Sequence, residues 1–202
     1  MLNIFNNKEL LVNEYLLIIQ PNEDVKQKIN TIKKDFAEKY ECPQALYSKP
    51  HITLVKFKQY EMNEQKIIHS INNIVCQKAP IQVSINGFES FPTHTIYFNV
   101  ETKNVIVEIV KSLKPVQAML KLDKENKPHF ITTPHLTLAR KLLPWQYEKA
   151  WLEYSNTHFT ASFIVNDIVL LRRNEITKKY SIAATFSLNN EVKMMAHQTS
   201  LF

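Results

Sequence analysis

The chain has 202 residues, 45 % of them hydrophobic, and a formal net charge of +6 at pH 7. That is enough apolar material for a substantial core, which excludes an intrinsically disordered chain. Cys42 and Cys76, the only cysteines, stand too far apart for a thiolate metal or redox motif, and a lone glycine, Gly87, excludes a glycine-rich phosphate loop. No stretch approaches the roughly 18 apolar residues of a membrane span, and the start lacks a basic segment followed by a long apolar run. A soluble cytoplasmic monomer with reduced thiols is expected. The basic excess is carried mostly by lysine, since Arg140, Arg172 and Arg173 are the only arginines, and it favours anionic ligands such as phosphates or nucleic acid.

In chain order, Tyr15 to Gln20 is an apolar run closed by Pro21, which predicts a strand. Val25, Ile29, Ile32 and Phe36 then fall at helical spacing. Cys42-Pro43 breaks that helix. A short apolar strand follows at His51 to Leu54, then a helix that gathers Ile67, Ile68, Ile71, Ile74 and Val75. Ile81, Val83 and Ile85 alternate with Gln82, Ser84 and Asn86, the pattern of a half-buried strand ending at Gly87. The order then recurs: a strand from His94 to Val100, a helix from Val105 to Leu122 that Pro115 should kink or split, a loop, a strand at His135, and a helix opened by Pro144. "ASFIVNDIVLLRR" and "KKYSIAATFSL" read as two strands joined near Asn174 and Glu175, and the tail over 189–202 is expected to fray.

The expected fold class is therefore α+β: two pseudo-symmetric lobes of β-sheet with outer helices around a central cleft. The repeat units cover about 13–88 and 94–173 of a single bilobal domain, 1–188.

The repeat carries a motif. "KPHITLVKF" runs from Lys49 to Phe57 and "TPHLTLARK" from Thr133 to Lys141. A bare His-x-Thr is weak evidence, but with the preceding proline, the apolar neighbour and the following leucine, chance supplies on the order of 0.001 copies where two stand. In a strand, His51 and Thr53 project together while Ile52 and Leu54 enter the core, and His135 and Thr137 repeat this against Leu136 and Leu138. Imidazole moves protons near neutral pH and a threonine hydroxyl donates to an anionic oxygen, so two such pairs facing one cleft suit a phosphodiester. A lone histidine more often satisfies a neighbouring strand; the flanked duplication reverses that preference.

These residues resemble the 2H phosphoesterases, which include the LigT-like RNA 2′,3′-cyclic phosphodiesterases and 2′-5′ RNA ligases. The match is His51-Ile52-Thr53-Leu54 and His135-Leu136-Thr137-Leu138, and the order of elements extends it over roughly 13–188. The resemblance implies a site free of metal and cofactor, with one histidine as general base and the other as general acid. Thr53 and Thr137 would hold the non-bridging phosphate oxygens. Arg140, five residues after His135, matches a basic residue of the family's second motif that commonly supports phosphate binding, and Lys56 has the same offset from His51. Strict alternation would turn both toward the core, so each must sit at a strand end or a bend. Tyr180 resembles a family tyrosine near the cleft, with cross-strand packing as the alternative. Phe91 and Phe130 could stack on a base, although core burial is expected.

The implied substrate is a 2′,3′-cyclic phosphate of an RNA end or a small nucleotide, with reversible 2′-5′ ligation by the same groups. The alternatives are 2′-5′ linked or cyclic oligonucleotide signals, or an RNA-binding module without turnover. Scarce arginine favours small nucleotides or short ends over long RNA. His129 follows Lys-Pro but has Ile131 where a threonine would stand, and His69, His94, His158 and His197 lack ligand spacing, so no zinc site is expected.

Overall fold

The computed structural model describes residues 11–174 and 178–190. The expected hairpin joint at Glu175, His197 and the tail from 191 onward lie outside these residues.

Strand β1 (Val12–Ile19) leads into helix α1 (Glu23–Lys39), whose N-cap Asn22 accepts a hydrogen bond from the Val25 amide while Glu23 and Asp24 sit in its positive first turn. Glu41, at a left-handed φ of 50°, turns the chain out of the helix into a single-turn 3₁₀ segment at Pro43–Tyr47. Strand β2 (Ile52–Tyr60), helix α2 (Glu64–Val75) and strand β3 (Ile81–Phe91) complete the first unit. The second unit runs β4 (Thr95–Val100), α3 (Lys103–Ser112), α4 (Gln117–Leu120), β5 (His129–Phe130), β6 (His135–Arg140), α5 (Pro144–Tyr154) and β7 (Thr160–Val165). Strands β8 (Asp167–Asn174) and β9 (Tyr180–Ser187) follow. Pro115, without an amide hydrogen, separates α3 from α4 through a 3₁₀ turn.

The strands form one sheet in the order β7-β3-β4-β6-β2-β1-β8-β9, with β5 paired to β2. Its two halves, β7-β3-β4-β6 and β2-β1-β8-β9, meet where β2 and β6 pair antiparallel at Ile52 and Leu136. The units exchange elements across that seam. Helix α1, which links β1 to β2, packs on β6 and β7, and α3 packs on β2. Strand β3 pairs with β4 and β7, although it follows α2 in the first unit. The helices cover one face of the sheet. There Tyr15, Leu17, Ile52, Leu54, Phe98, Leu136 and Leu138 join Ile29, Phe36, Ile67 and Ile106 in the core. Burying each such side chain fully contributes about 1.5–3 kcal/mol of transfer free energy.

Three sequence expectations change in detail. "ASFIVNDIVLLRR" is two strands, because alternation loses its phase at Asn166: Phe163 and Val165 are buried on β7, then Ile168 and Leu170 on β8, and the two strands enter opposite halves of the sheet. Strand β3 does not end at Gly87 but runs on to Phe91. Gly87 takes a φ of 66° inside a register shift between Ile85 and Phe88, and its amide donates to the Phe159 carbonyl at 2.7 Å. His129, expected in a loop, is in β5, where it is the ladder partner of Lys56.

Candidate active site

Both motifs lie on the central strands, on the face the helices leave open. The register through Ile52 and Leu136 sets His51 beside Thr137 and Thr53 beside His135, so each histidine neighbours the other motif's threonine. All four side chains are partly buried.

The five-residue offset of Lys56 and Arg140 has a specific cause. Opposite β1, Ile18 pairs with Thr53 but Leu17 pairs with Val55, leaving Leu54 as an extra residue. Opposite β4, Tyr97 pairs with Thr137 but Ile96 pairs with Ala139, leaving Leu138 extra. Each motif thus contains a one-residue bulge, which inverts the alternation that follows. Leu54 and Val55 are both buried, as are Leu138 and Ala139, and the exposed Lys56 and Arg140 return to the open face of the sheet.

Each imidazole is oriented in the same way. His51 Nδ1 lies 2.7 Å from the Lys49 carbonyl and His135 Nδ1 lies 2.8 Å from the Thr133 carbonyl, each two residues back. A carbonyl only accepts, so Nδ1 carries the hydrogen and Nε2 of the neutral ring keeps its lone pair. Burial pushes both imidazoles below their ordinary pKa, and these carbonyls partly oppose it. His51 is lowered further by the charges of Lys33, Arg140 and His135.

The surroundings of the two histidines differ. His135 sits in an aromatic corner: the Phe91 and Tyr97 ring centroids are each 5.1 Å away, with Phe91 edge-on at 87°. The Tyr97 hydroxyl donates to Glu89 at 3.0 Å, and Lys103 pairs with the same carboxylate at 3.1 Å. Asn99, the ladder partner of His135, leaves its buried amide oxygen without a hydrogen bond. Phe130 is buried in the core, with the Lys114 ammonium 4.0 Å from its ring centroid.

On the other half of the sheet, Glu14 is 4 % exposed and gathers a charged cluster. Lys56 Nζ is 2.8 Å and Arg173 Nη2 is 3.1 Å from its carboxylate, and the Tyr180 hydroxyl donates to it. Burial alone would raise the Glu14 pKa; the hydrogen bonds from Lys56 and Tyr180 and the charges of Lys56 and Arg173 bring it below the usual value. The Arg173 guanidinium stacks over the Tyr180 ring, 5.4 Å from its centroid. The charge of Arg140 lowers the pKa of His51 and Lys33 and opposes the rise at the Tyr180 hydroxyl, so the guanidinium lies within electrostatic reach of all three.

Sequence reasoning singled out His51, Thr53, Lys56, His135, Thr137, Arg140 and Tyr180, and the structure places all seven along this one face. It missed Glu14, Lys33, Tyr97 and Arg173. Lys33 had a readable signal, because it occupies the buried stripe of α1 between Ile29 and Phe36, where an apolar residue belongs. Among the described residues no group of three or more His, Cys, Asp and Glu side chains could hold a metal ion, and no helix is long and apolar enough to cross a membrane.

Paired His-x-Thr strands at the centre of a helix-backed antiparallel sheet are the plan of a two-histidine phosphoesterase. Comparison with known proteins agrees: the model of the 2′-5′ RNA ligase superfamily matches residues 21–177, and the chain belongs to that superfamily. A protein of Geobacillus kaustophilus named as a phosphoesterase is 28 % identical over 151 residues, 72 % of this chain and 81 % of that one. Its counterpart in Geobacillus thermodenitrificans is 26 % identical over 148 residues, 72 % of this chain and 79 % of its own length. Among solved structures, Escherichia coli LigT complexed with NADP+ superposes with a TM-score of 0.62 at 14 % identity, covering 88 % of this chain and 99 % of LigT. LigT complexed with 3′-AMP gives the same score and identity over 88 % and 98 %.

Proposed function

We propose that the protein is a metal-independent phosphodiesterase that opens a 2′,3′-cyclic phosphate at the end of an RNA or on a small nucleotide. The observation that carries this reading is the pair of imidazoles on adjacent strands, each fixed through Nδ1 with Nε2 left free for proton transfer. His51 is the general base, because the charges of Lys33 and Arg140 add to the burial that favours its neutral form. His135, which burial also lowers but without those added charges, is the general acid and takes up its proton as the anionic substrate enters. His51 Nε2 takes a proton from water, the water oxygen bonds to phosphorus, the bond from phosphorus to O3′ breaks, and His135 gives its Nε2 proton to O3′. The product is a 2′-phosphate. Protons then exchange with solvent to restore both rings. Thr53, Thr137 and Arg140 donate to the non-bridging oxygens, where charge builds up in the transition state. A 5′-hydroxyl in place of water gives a 2′-5′ linkage through the same groups, and the reverse reaction cleaves it.

The cluster around Glu14 supports a second reading. Lys56, Arg173 and Tyr180 extend the polar face beyond what one phosphate needs, which favours 2′-5′ linked or cyclic oligonucleotides as further substrates. The deciding experiment is hydrolysis, in EDTA, of 2′,3′-cyclic nucleotides and of a short RNA ending in a cyclic phosphate, by wild type, His51→Ala and His135→Ala. Turnover that falls about 10²- to 10⁴-fold in each variant is expected. Wild-type turnover abolished by EDTA, or retained by either variant, overturns the mechanism; absence of turnover alongside cleavage of 2′-5′ linked oligonucleotides selects the second substrate class.

A further inference from the structure

Lys33 is the most buried charged side chain described, at 1 % exposure. It lies on the inner stripe of α1 beside Ile29 and Phe36, where a methionine would pack without any desolvation cost. Its ammonium donates to the Ser48 carbonyl at 2.6 Å and lies 3.3 Å from the Ser48 hydroxyl, and no carboxylate pairs with it among the described residues. A buried cation with only neutral acceptors is costly to keep. Ser48 precedes Lys49, whose carbonyl orients His51. The groups acting on His51 come from three elements: Lys33 of α1, Arg140 and His135 of β6, and the Lys49 carbonyl on its own segment. Burial and the neighbouring Arg140 push Lys33 down to about 8, which still leaves it mainly charged at neutral pH.

We propose that Lys33 is a positioning residue of the site: its buried ammonium ties down the Ser48-Lys49 segment that aims His51 and supplies, from behind the strand, a positive charge whose counterion is the phosphate of the substrate. The proposal rests on the two-histidine reading for its catalytic consequence, but its electrostatic content does not need a substrate. It also accounts for the difference between the motifs, because α1 crosses from one half of the sheet to the other and brings a helix side chain to His51.

The test is an NMR titration of the His51 and His135 imidazoles in the full chain, with wild type, Lys33→Met and Lys33→Gln. Lys33→Gln keeps a donor for Ser48 while removing the charge. In both variants the His51 midpoint should rise by about half a unit or more, with His135 moving less. The acidic limb of kcat/KM on a 2′,3′-cyclic nucleotide should follow it, with at least a tenfold loss at neutral pH while the melting temperature holds. An unmoved His51 midpoint in a folded variant overturns the proposal, even if wild type is an active phosphodiesterase. A raised midpoint in a protein that cleaves no cyclic phosphate keeps Lys33 in this role and removes the substrate assignment instead. If Lys33→Met does not fold, the His51 midpoint of Lys33→Gln decides between the two outcomes.

Discussion

The two motifs are alike in their nearest geometry and unlike one shell further out. Each has a histidine held by the carbonyl two residues back, a threonine on the same face, a one-residue bulge and a cation beyond it. His51, however, answers to Lys33 and Arg140, whereas His135 is bordered by Phe91 and Tyr97. A twofold frame supplies two like-placed imidazoles; in the proposed reaction, unequal surroundings let one accept a proton while the other donates. On the proposed mechanism, the division into acid and base thus comes from the neighbours rather than from the motif.

The broadest way to strain this comparison is to remove the groups that both halves share. Thr53→Val and Thr137→Val should each lower kcat by about 10²-fold, the scale for losing one donor to a developing oxyanion, with the melting temperature nearly unchanged. A loss confined to one threonine in steady-state assays would show that the phosphate leans on one half only. Next come the cations. Arg140→Lys should raise KM about tenfold, because a lysine cannot form the paired hydrogen bonds of a guanidinium. Lys56→Met should cost only a few-fold, since Lys56 is already engaged by Glu14 at 2.8 Å. Equal effects would mean that the cations, unlike the histidines, are interchangeable.

Smaller still is the pH dependence of stability. Both imidazoles have folded pKa values below the reference of roughly 6.5, so the unfolded chain takes up protons that the fold resists. Stability should therefore fall as pH drops through about 6.5, until the folded values are reached. Thermal melts between neutral pH and pH 5 should show the decline, and His51→Gln should flatten it more than His135→Gln. The smallest expected effect is that of Phe91→Leu, a two- to fivefold loss of kcat from loosening the aromatic corner, on the order of 1 kcal/mol.

Much of this was legible in the chain. The duplicated His-x-Thr pairs, the helix faces and the split at Pro115 follow from spacing and from proline's missing donor. The bulges did not, because plain alternation sends Lys56 and Arg140 inward. Their trace is the pair of consecutive apolar residues ahead of each cation, Leu54-Val55 and Leu138-Ala139, which only strand pairing reveals as a bulge. The exchange of α1 and β3 across the seam was equally hidden, since local periodicity does not specify which half of a sheet an amphipathic element will cover. Glu14 escaped because its three partners, Lys56, Arg173 and Tyr180, converge from distant positions in the chain.

The paired bulges also have a genetic meaning. Inserting a single codon between Leu138 and Arg140 would shift the alternation after the bulge by one residue, turning Arg140 from the open face toward the core while leaving His135 and Thr137 as they are. On the proposed mechanism, one gained triplet would therefore disarm phosphate binding without touching the proton-transfer residues, and the same holds for an insertion between Leu54 and Lys56. A duplication that copied the strand together with its extra residue would pass on a complete half-site, so the unit of inheritance here is the whole stretch from histidine to cation rather than the four-residue motif alone.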